Sequence, residues 1–495
     1  MKYLRWLLLP ALVVLLTWPW ALAPSWILAD PQLEAADHIW ALWLGSQEGL
    51  VIETDRVLGG YDWVLADPLN LVFWSMGSRL TGVAWGFVLA GNLLVAGLGA
   101  AALSAETGRG EPWLAALFGA SVPALAGGLF TGMSDGMGVG WVALALAGLS
   151  WAQRGRWHRG LLAGLLLGLT AWAGPYMAVF TALTAPFFLR KPTSALGVAV
   201  LTGGLVALPV VLAVAGRPEG APGTSSVLQG VLDNPDSWTA LRYGADPLSL
   251  LWPMNDRYEA VLLGLVPVGL ACLGGHRRLA GAAVVAAVLS LGFFLQWGDE
   301  PLRVGGRLVT LPAAWLGLAS DELGRLSRWT RMAGLCGVLL APMAAAGAAR
   351  SSRWLFLAAL LEGLLHSPLP WPRTTWDMAL PDGYEQLEGP LLHIPPKVRG
   401  GKGDRNANLL HQTVHGHVLA ENPHQANTRH PAEDWAQALT NAAKDGHPFD
   451  TPPPEGVRTL VLLRGDPNEE TWFRGALGPP DVQTADLWAW TVPTM

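Results

Sequence analysis

The chain has 495 residues, of which 51% are hydrophobic and only 14% are charged. A soluble protein of this size carries about 25% charged residues, so the composition excludes an ordinary soluble enzyme and indicates an integral membrane protein. The formal net charge of −6 is small and excludes nothing by itself, and no polybasic or acidic run marks a nucleic-acid partner.

The first predicted element is an apolar span over residues 6–24, which follows Lys2 and Arg5. The alternative is a cleaved signal peptide, for which Ala21 and Ala23 offer only a weak cleavage site. We therefore expect a retained membrane anchor. Residues 25–82 then form an outer loop that is rich in Asp and Glu.

An amphipathic segment begins inside this loop at Asp37-His38 and runs to Leu50. Its pattern predicts a helix that lies on the bilayer surface. Asp37 would be in the first turn, where a carboxylate either caps the helix or serves chemistry at the outer face. His38 taken alone is typical of a packing or surface residue.

Further apolar runs predict helices that cross about 30 Å of hydrocarbon, and with the anchor they give about 11 spans. Gly174-Pro175 splits the pair 160–174 and 176–189, and basic residues flank both ends. The positive-inside rule therefore favours a helical hairpin over a single span. The runs lie at 83–103, 112–128, 136–152, 160–174, 176–189, 194–215, 259–274, 279–297, 329–349 and 354–366.

Basic residues in alternate loops give the orientation, with residues 367–495 outside the cytoplasmic membrane. An apolar stretch at 308–320 leaves this orientation open, because a membrane crossing there would place every later segment on the opposite side of the membrane. Its interpretation as a re-entrant or interfacial segment keeps Arg350 and Arg353 inside.

Asp135 follows Gly132-Met133-Ser134 just before the span 136–152. Ser134 or Asp135 would cap the helix there, or Asp135 would act as a second outer carboxylate. The sequence has no Asp-x-Asp, so a shared divalent metal is only weakly supported and no cofactor is expected.

Arg325, Arg328 and Arg331 recur at every third residue before the span 329–349, so a helix would place them on neighbouring positions. They are either anchors at the membrane interface or a clamp for a lipid-linked phosphate, whose oxygens match guanidinium forks.

Residues 367–495 are richer in proline and polar residues and predict a small α/β domain. His411, His415 and His417 alternate as on one face of a strand, and we favour a polar surface or substrate contact over a zinc site, since the region has no Cys. The predicted strands are 389–395, 457–464 and 486–492, and the predicted helices are 432–444 and 468–477.

Several short motifs occur in a characteristic order. They are Asp37-His38-Ile39-Trp40, Asp67-Pro68-Leu69-Asn70, Gly132-Met133-Ser134-Asp135, Gly174-Pro175-Tyr176, the pair Arg328 and Arg331, and Gln412-Thr413-Val414-His415-Gly416. Over nearly the whole chain this order resembles that of large, mostly uncharacterised bacterial polytopic proteins related to the C-type (GT-C) glycosyltransferases.

That resemblance implies a lipid-phosphate sugar donor and transfer on the outer face. In such enzymes an acidic residue of the first outer loop is the catalytic base; Asp37 matches this position, with Asp30 second, and Asp135 matches an acidic position after the third span. The chain departs from the family by lacking Asp-x-Asp, by Asp rather than Glu at 135, and by His411 where an aromatic is usual.

The prediction is thus an α-helical polytopic inner-membrane protein with a transmembrane domain over 1–366 and an extracytoplasmic α/β domain over 367–495. It would move a sugar from a polyprenyl-phosphate donor to a cell-envelope acceptor. A transporter or lipid flippase, which would show two matching halves, and a non-catalytic membrane scaffold are the alternatives. The predicted catalytic residues are Asp37, Asp135 and His38, and the predicted substrate-binding residues are Arg328, Arg331, Asp30 and His415.

Overall fold

The structure, a computed structural model, describes residues 3–20, 27–28, 35–57, 61–65, 67–81, 84–125, 127, 133–216, 227–234, 244–252, 262–298, 300–326, 328–365, 371–372, 375–376, 379–394, 411–420, 431–463 and 467–492. Contacts divide the chain into two compact units. The helical unit comprises Met1–Ala29 and Ala66–Thr375, and the sheet unit comprises Asp30–Leu65 and Trp376–Met495.

Apolar runs bounded by glycine, proline or charge form the helices of the helical unit, and each predicted span overlaps one of them. The helices are Leu8–Leu16, Asn70–Thr81, Trp85–Thr107, Pro112–Ala120, Val139–Ala152, Trp157–Trp172, Pro175–Thr184, Ser194–Ala215, Val227–Asp233, Leu265–Gly274, Arg277–Ser290, Pro312–Ala319, Asp321–Gly324, Met332–Ala348 and Arg353–Leu365. The short strands are Ile27–Leu28, Gln296–Trp297, Glu300–Pro301, Arg303–Val304 and Arg307–Leu308, with Thr375–Trp376 at the unit boundary.

Among the described residues, three helical segments are long and apolar enough to cross a membrane: Trp85–Thr107, Ser194–Ala215 and Trp329–Ala348. The segment Ser194–Ala215 leaves Leu201 67% and Leu205 63% exposed. Apolar surface of this extent requires an apolar partner, which lipid provides. The chain is therefore a membrane protein, and its full number of spans stays a prediction.

The helices Trp85–Thr107 and Val139–Ala152 approach each other at glycine. A Cβ atom at Gly140 would lie 2.4 Å from the backbone nitrogen of Ala96. Small residues permit this close packing where apolar burial alone does not drive helices together in a membrane. The contact fixes the start of the helix that follows Asp135.

Gly174 separates the helices Trp157–Trp172 and Pro175–Thr184. Its φ of 134° lies in a region that favours glycine, and Pro175 occupies the first turn of the second helix. The predicted break into two short helices is confirmed.

The apolar stretch at 308–320 forms the helix Pro312–Ala319 of 8 residues. At 1.5 Å per residue such a helix extends about 12 Å, well short of the hydrocarbon thickness. Its length agrees with a re-entrant or interfacial segment and not with a full crossing.

The sheet unit contains a four-stranded sheet in the order Val482–Gln483, Leu487–Thr491, Thr459–Leu463, Leu391–Ile394. The strands Leu391–Ile394 and Thr459–Leu463 are parallel, and Leu487–Thr491 is antiparallel to the latter. The helices Pro431–Asp445 and Pro467–Leu477 contribute Trp435, Leu439 and Phe473 to the core of this unit. Apart from Val482–Gln483, which was not predicted, these elements lie where the sequence predicted strands and helices. The unit also holds the helix Ala35–Glu48 and the hairpin Val51–Thr54 and Tyr61–Val64.

The sequence-based division grouped residues 25–82 with the membrane-spanning region, but residues 30–65 pack with the C-terminal region. The physical reason is backbone pairing: the N–H of Leu419 donates to the carbonyl of Arg56 at 2.9 Å, and the N–H of Leu391 donates to Val418 at 2.8 Å. The segment around Leu419 therefore joins the first loop to the edge of the sheet.

The helix Ala35–Glu48 forms as predicted, but its apolar face does not lie on a bilayer surface. Ile39 and Trp40 are 1% exposed, and Leu42 is fully buried. An amphipathic pattern requires an apolar neighbour without specifying lipid or protein, and here protein covers the face. The prediction of an interfacial helix is corrected to a buried one.

Candidate functional site

The 3-10 turn Ser134–Gly136 in the helical unit carries Asp135 at its centre. The N-cap of the following helix Val139–Ala152 is Gly138, which has no side chain. Neither Ser134 nor Asp135 therefore occupies the N-cap position of this helix, where the sequence predicted one of them. The N–H of Met137 donates to the carbonyl of Ser134 at 3.0 Å and closes the turn. The side chain of Asp135 lies outside the described part of the chain.

A buried carboxylate lies behind this turn. Asp67, 2% exposed, accepts hydrogen bonds from the hydroxyl of Ser134 and, at 2.7 Å, from the side-chain amide of Asn70. The amide oxygen of Asn70 accepts from Nδ2 of Asn92 at 2.8 Å. Buried polar groups are stable where they hold one another in this way. A polar chain thus runs from Asn92 on the helix Trp85–Thr107 to the turn.

A buried guanidinium group also lies close to the turn. Arg331 is 9% exposed, and its Cζ lies 4.4 Å from the ring centroid of Tyr176, a cation–π contact. Its Nη2 is 3.7 Å from Sδ of Met133. A Cβ atom placed on Gly136 would lie 3.5 Å from Nε of Arg331. The guanidinium group therefore lies directly against the turn that carries Asp135.

The other two arginines of the predicted row do not share a helical face with Arg331. Arg325 forms an exposed ion pair with Glu322 at 2.9 Å. Arg328 has ψ of 64°, which interrupts the helix, and only a 3-10 turn precedes Met332. The prediction of one arginine row is wrong, because the chain is not helical throughout 325–331.

Arg328 nevertheless contacts the same two residues as Arg331, Tyr176 and Met133. Its backbone N–H donates to the hydroxyl of Tyr176 at 3.2 Å, and its Nη1 contacts Sδ of Met133. Tyr176 thus receives Arg331 on its ring and Arg328 at its hydroxyl. The two arginines therefore meet at Tyr176, and their role in substrate binding stays a prediction.

The arrangement suits an anionic ligand. The site contains the guanidinium group of Arg331. Its planar donors match the oxygens of a phosphate in a bidentate geometry, and stacking on an aromatic ring fixes its plane. Arg331 and Tyr176 therefore define a cationic site beside the turn of Asp135.

Asp37 and His38 lie in the sheet unit. Asp37 is in the first turn of the helix Ala35–Glu48, and its Oδ1 is shielded from solvent. One turn further on, Nε1 of Trp40 donates to Oε1 of Gln412 at 2.6 Å. This bond ties the helix that carries Asp37 to the C-terminal segment. Asp30 lies outside the described residues.

The histidines of the C-terminal segment surround Tyr384. Residues 411–415 are helical and not extended, so the prediction of alternating histidines on a strand is wrong. The ring centroids of His411 and His415 lie 5.5 and 5.3 Å from that of Tyr384. The tyrosine hydroxyl and Nε2 of His393 are 2.8 Å apart. Among the described residues, no group of three or more His, Cys, Asp or Glu side chains is arranged to hold a metal ion.

Burial, together with the neighbouring His393, His417 and His411, lowers the pKa of His415 to about 3. Nδ1 of His415 accepts the backbone N–H of His417 at 2.9 Å, which favours the neutral imidazole. His415 is therefore a neutral packing residue in this cluster, and the geometry supports a structural role better than the predicted substrate contact.

Sequence reasoning did not select Asp67 or Tyr176 as site residues. The available signals were Asp67-Pro68-Leu69-Asn70, an acidic residue at the end of a loop, and a tyrosine directly after Gly174-Pro175. Neither pattern identifies a contact to Ser134 or Arg331, because those partners are distant in the chain.

Comparisons with known proteins bear on the fold. No protein-family model and no curated protein matches the chain. Among solved structures, the chain is similar to the arabinofuranosyltransferase AftD from Mycobacteria, with a TM-score of 0.55 and 17% identity over 99% of this chain and 40% of that one. A mutant of AftD gives a TM-score of 0.53 and 16% identity, over 99% of this chain and 41% of that one. The chain thus spans about 40% of the length of AftD.

A weaker likeness is to ArnT from Cupriavidus metallidurans bound to undecaprenyl phosphate, with a TM-score of 0.44 and 13% identity over 98% of each chain. The likeness to AftD identifies the fold: the chain has a C-type (GT-C) glycosyltransferase-like fold, and the resemblance predicted from its motifs is confirmed at this level.

Proposed function

We propose that the protein is a membrane glycosyltransferase that moves a sugar from a polyprenyl-phosphate donor to a cell-envelope acceptor on the outer face of the cytoplasmic membrane. The observation that carries the proposal is the buried Arg331 guanidinium, stacked on Tyr176 and lying against the turn of Asp135. Such a site in a chain with a GT-C-like fold suits a lipid-linked phosphate.

In this proposal Arg331 binds the donor phosphate and stabilises the negative charge that grows on it as the sugar departs. Tyr176 keeps the guanidinium plane fixed, so little reorganisation is required during the reaction. Arg328 stands beside it on the hydroxyl of Tyr176 and adds a second positive charge. No metal is assigned a role.

Asp37 is the proposed catalytic base. The acceptor hydroxyl attacks the anomeric carbon of the donor, a new glycosidic C–O bond forms, and the bond from that carbon to the phosphate oxygen breaks. Polyprenyl phosphate leaves with the electron pair, and the hydroxyl proton passes to the carboxylate of Asp37. His38 is proposed to orient this carboxylate, Asp135 to act as the second acidic group, and Asp30 to contact substrate.

The test is the binding of sugar-free polyprenyl phosphate to the purified full chain in lipid nanodiscs. Arg331→Lys retains the charge but loses the fork and the ring stacking, so the dissociation constant should rise about tenfold or more. Arg328→Lys should have a smaller effect, because its described backbone contact with Tyr176 does not require the side chain.

Arg307→Lys is the matched control, since Arg307 is an exposed residue of a hairpin strand. It should bind like the wild type. If Arg331→Lys and Arg328→Lys both bind polyprenyl phosphate with wild-type affinity, the two arginines are interfacial anchors and the proposed donor site is refuted.

A further inference from the structure

A carboxylate that the proposed chemistry does not use is buried beside the turn that carries Asp135. Asp67 is 2% exposed, and Ser134, which donates its hydroxyl to this carboxylate, is fully buried. Ser134 is also the first residue of the turn and directly precedes Asp135. The bond therefore acts on the chain within one residue of the proposed second acidic group.

Capping of the helix Asn70–Thr81 would be the ordinary role for an Asp at position 67. The backbone already satisfies the N–H groups that a cap would bind. The N–H of Leu69 donates to the carbonyl of Trp172, and the N–H of Asn70 donates to the main-chain carbonyl of Asp67, both at 2.9 Å. The carboxylate of Asp67 instead points to two side chains, Ser134 and Asn70.

A hydrogen bond holds the turn at Ser134. The Asp67 carboxylate accepts this bond, and Asn70 and Asn92 support the carboxylate through side-chain hydrogen bonds. At Gly136 an added Cβ atom would lie 3.5 Å from Nε of Arg331, so the guanidinium group is close to the same turn. Asp135 lies between Ser134 and Gly136, so the bond to Ser134 fixes the backbone directly before it.

We propose that Asp67 is a positioning residue that holds, through the Ser134 hydroxyl, the turn carrying Asp135 in its working geometry. The inference rests on the proposed function for its effect on turnover, while the positioning itself is a property of the structure. A small misplacement of a reacting group lowers the rate by a large factor. The affinity for the donor phosphate, which Arg331 would hold separately, changes little.

The first measurement is hydrogen exchange at the turn, which needs no activity. Ser134→Ala removes the donor, and Asp67→Asn keeps the size of the side chain but removes one acceptor oxygen and the charge. Both should speed exchange of the Met137 amide about tenfold, since that amide closes the turn on Ser134. Unchanged exchange in both variants overturns the proposal.

The second measurement is turnover in the full chain. Both variants should lower kcat about 10- to 100-fold and leave the affinity for sugar-free polyprenyl phosphate within about twofold, because Tyr176 holds Arg331 independently. The double variant should lose no more than Ser134→Ala alone, since the two groups act through one bond.

Ser104→Ala is the control for a merely structural loss. Ser104 is also buried, and its hydroxyl donates to the carbonyl of Arg109 at 2.6 Å in a different part of the helical unit. It should lower the melting temperature to a similar extent and leave kcat unchanged. Wild-type kcat in Asp67→Asn and Ser134→Ala, or an equal loss in Ser104→Ala, overturns the proposal. A wild type with no transfer activity refutes the proposed function instead, and the exchange result still decides whether Asp67 positions the turn.

Discussion

Replacement of Gln412 by Ala should strongly destabilise the sheet unit. Gln412 is fully buried, and its Oε1 accepts from Nε1 of Trp40 at 2.6 Å. Its Nε2 donates to the carbonyls of Arg56 at 2.8 Å and His417 at 2.9 Å. The amide fits in only one orientation, because one partner is a donor and two are acceptors. A single side chain thus joins segments that are 372 positions apart in sequence.

The magnitude follows from the three bonds. Each hydrogen bond contributes about 1 kcal/mol net, and each buried partner left unsatisfied costs about 1–3 kcal/mol. Gln412→Ala should therefore lower the free energy of unfolding by about 3–5 kcal/mol. Gln412→Glu should also destabilise, because its carboxylate keeps the size of the side chain but would face two carbonyl oxygens.

Thermal unfolding of the purified full chain in nanodiscs, with hydrogen exchange read over Leu391–Ile394, measures the effect. Gln386→Ala is the control, since Gln386 is exposed and its Nε2 donates to Oε1 of its neighbour Glu385 at 3.3 Å; it should change stability by less than about 0.5 kcal/mol. If Gln412→Ala stays within about 1 kcal/mol of the wild type, the buried bonds do not hold this unit together.

Two further predictions concern orientation and pH. The basic residues of alternate loops predict that residues after Trp371 are extracytoplasmic, so a reporter that works only outside the cytoplasm should be active when fused there. Activity of a reporter that works only in the cytoplasm would contradict this orientation. The pKa of His415 is about 3 in the folded chain, while an unfolded histidine binds a proton near pH 6.5. The unfolded state therefore gains protons first, and stability should fall as pH drops from about 6.5 towards 3, by at most about 1.4 kcal/mol per pH unit. His415→Gln should flatten this acid slope in pH-dependent unfolding, and an unchanged slope would contradict the assignment.

Local sequence predicted the helices well. Continuous apolar runs specify helices in a membrane protein, because every backbone polar group must be satisfied within the segment. Gly174 and Pro175 likewise specify a break, since each imposes its own backbone geometry. The strands around Leu391 and Val461 were also predicted from local sequence, because short β-branched and leucine-rich runs bounded by glycine, proline or charge are typical of strands.

Tertiary partners were not predictable in this way. The amphipathic helix that contains Asp37 has the same sequence pattern whether lipid or protein covers its apolar face. The sequence analysis predicted lipid, and the structure places protein there. His411 and His415 are four residues apart, and this spacing places two side chains on one face of a helix or on one face of a strand. Helical spacing of Arg325, Arg328 and Arg331 assumed a continuous helix that the backbone at Arg328 interrupts.

The site itself was predicted in part. Arg328, Arg331 and the turn of Asp135 were selected by residue type at the ends of spans, and the structure groups them. Asp67 was missed because its partner Ser134 is 67 residues away. A buried carboxylate held by neutral side chains leaves no periodic pattern in the sequence.

Sugar transfer by the purified full chain tests the central claim most directly. With polyprenyl-phosphate-linked sugars as donors and cell-envelope glycans as acceptors, the wild type should form a glycosylated product and release polyprenyl phosphate. Asp37→Asn caps a helix nearly as well as Asp but cannot take the proton, so it should remain folded and lose about 10²–10⁴-fold in rate. Full transfer activity in Asp37→Asn would contradict the account, and so would a folded wild type that binds the donor lipid but transfers no sugar.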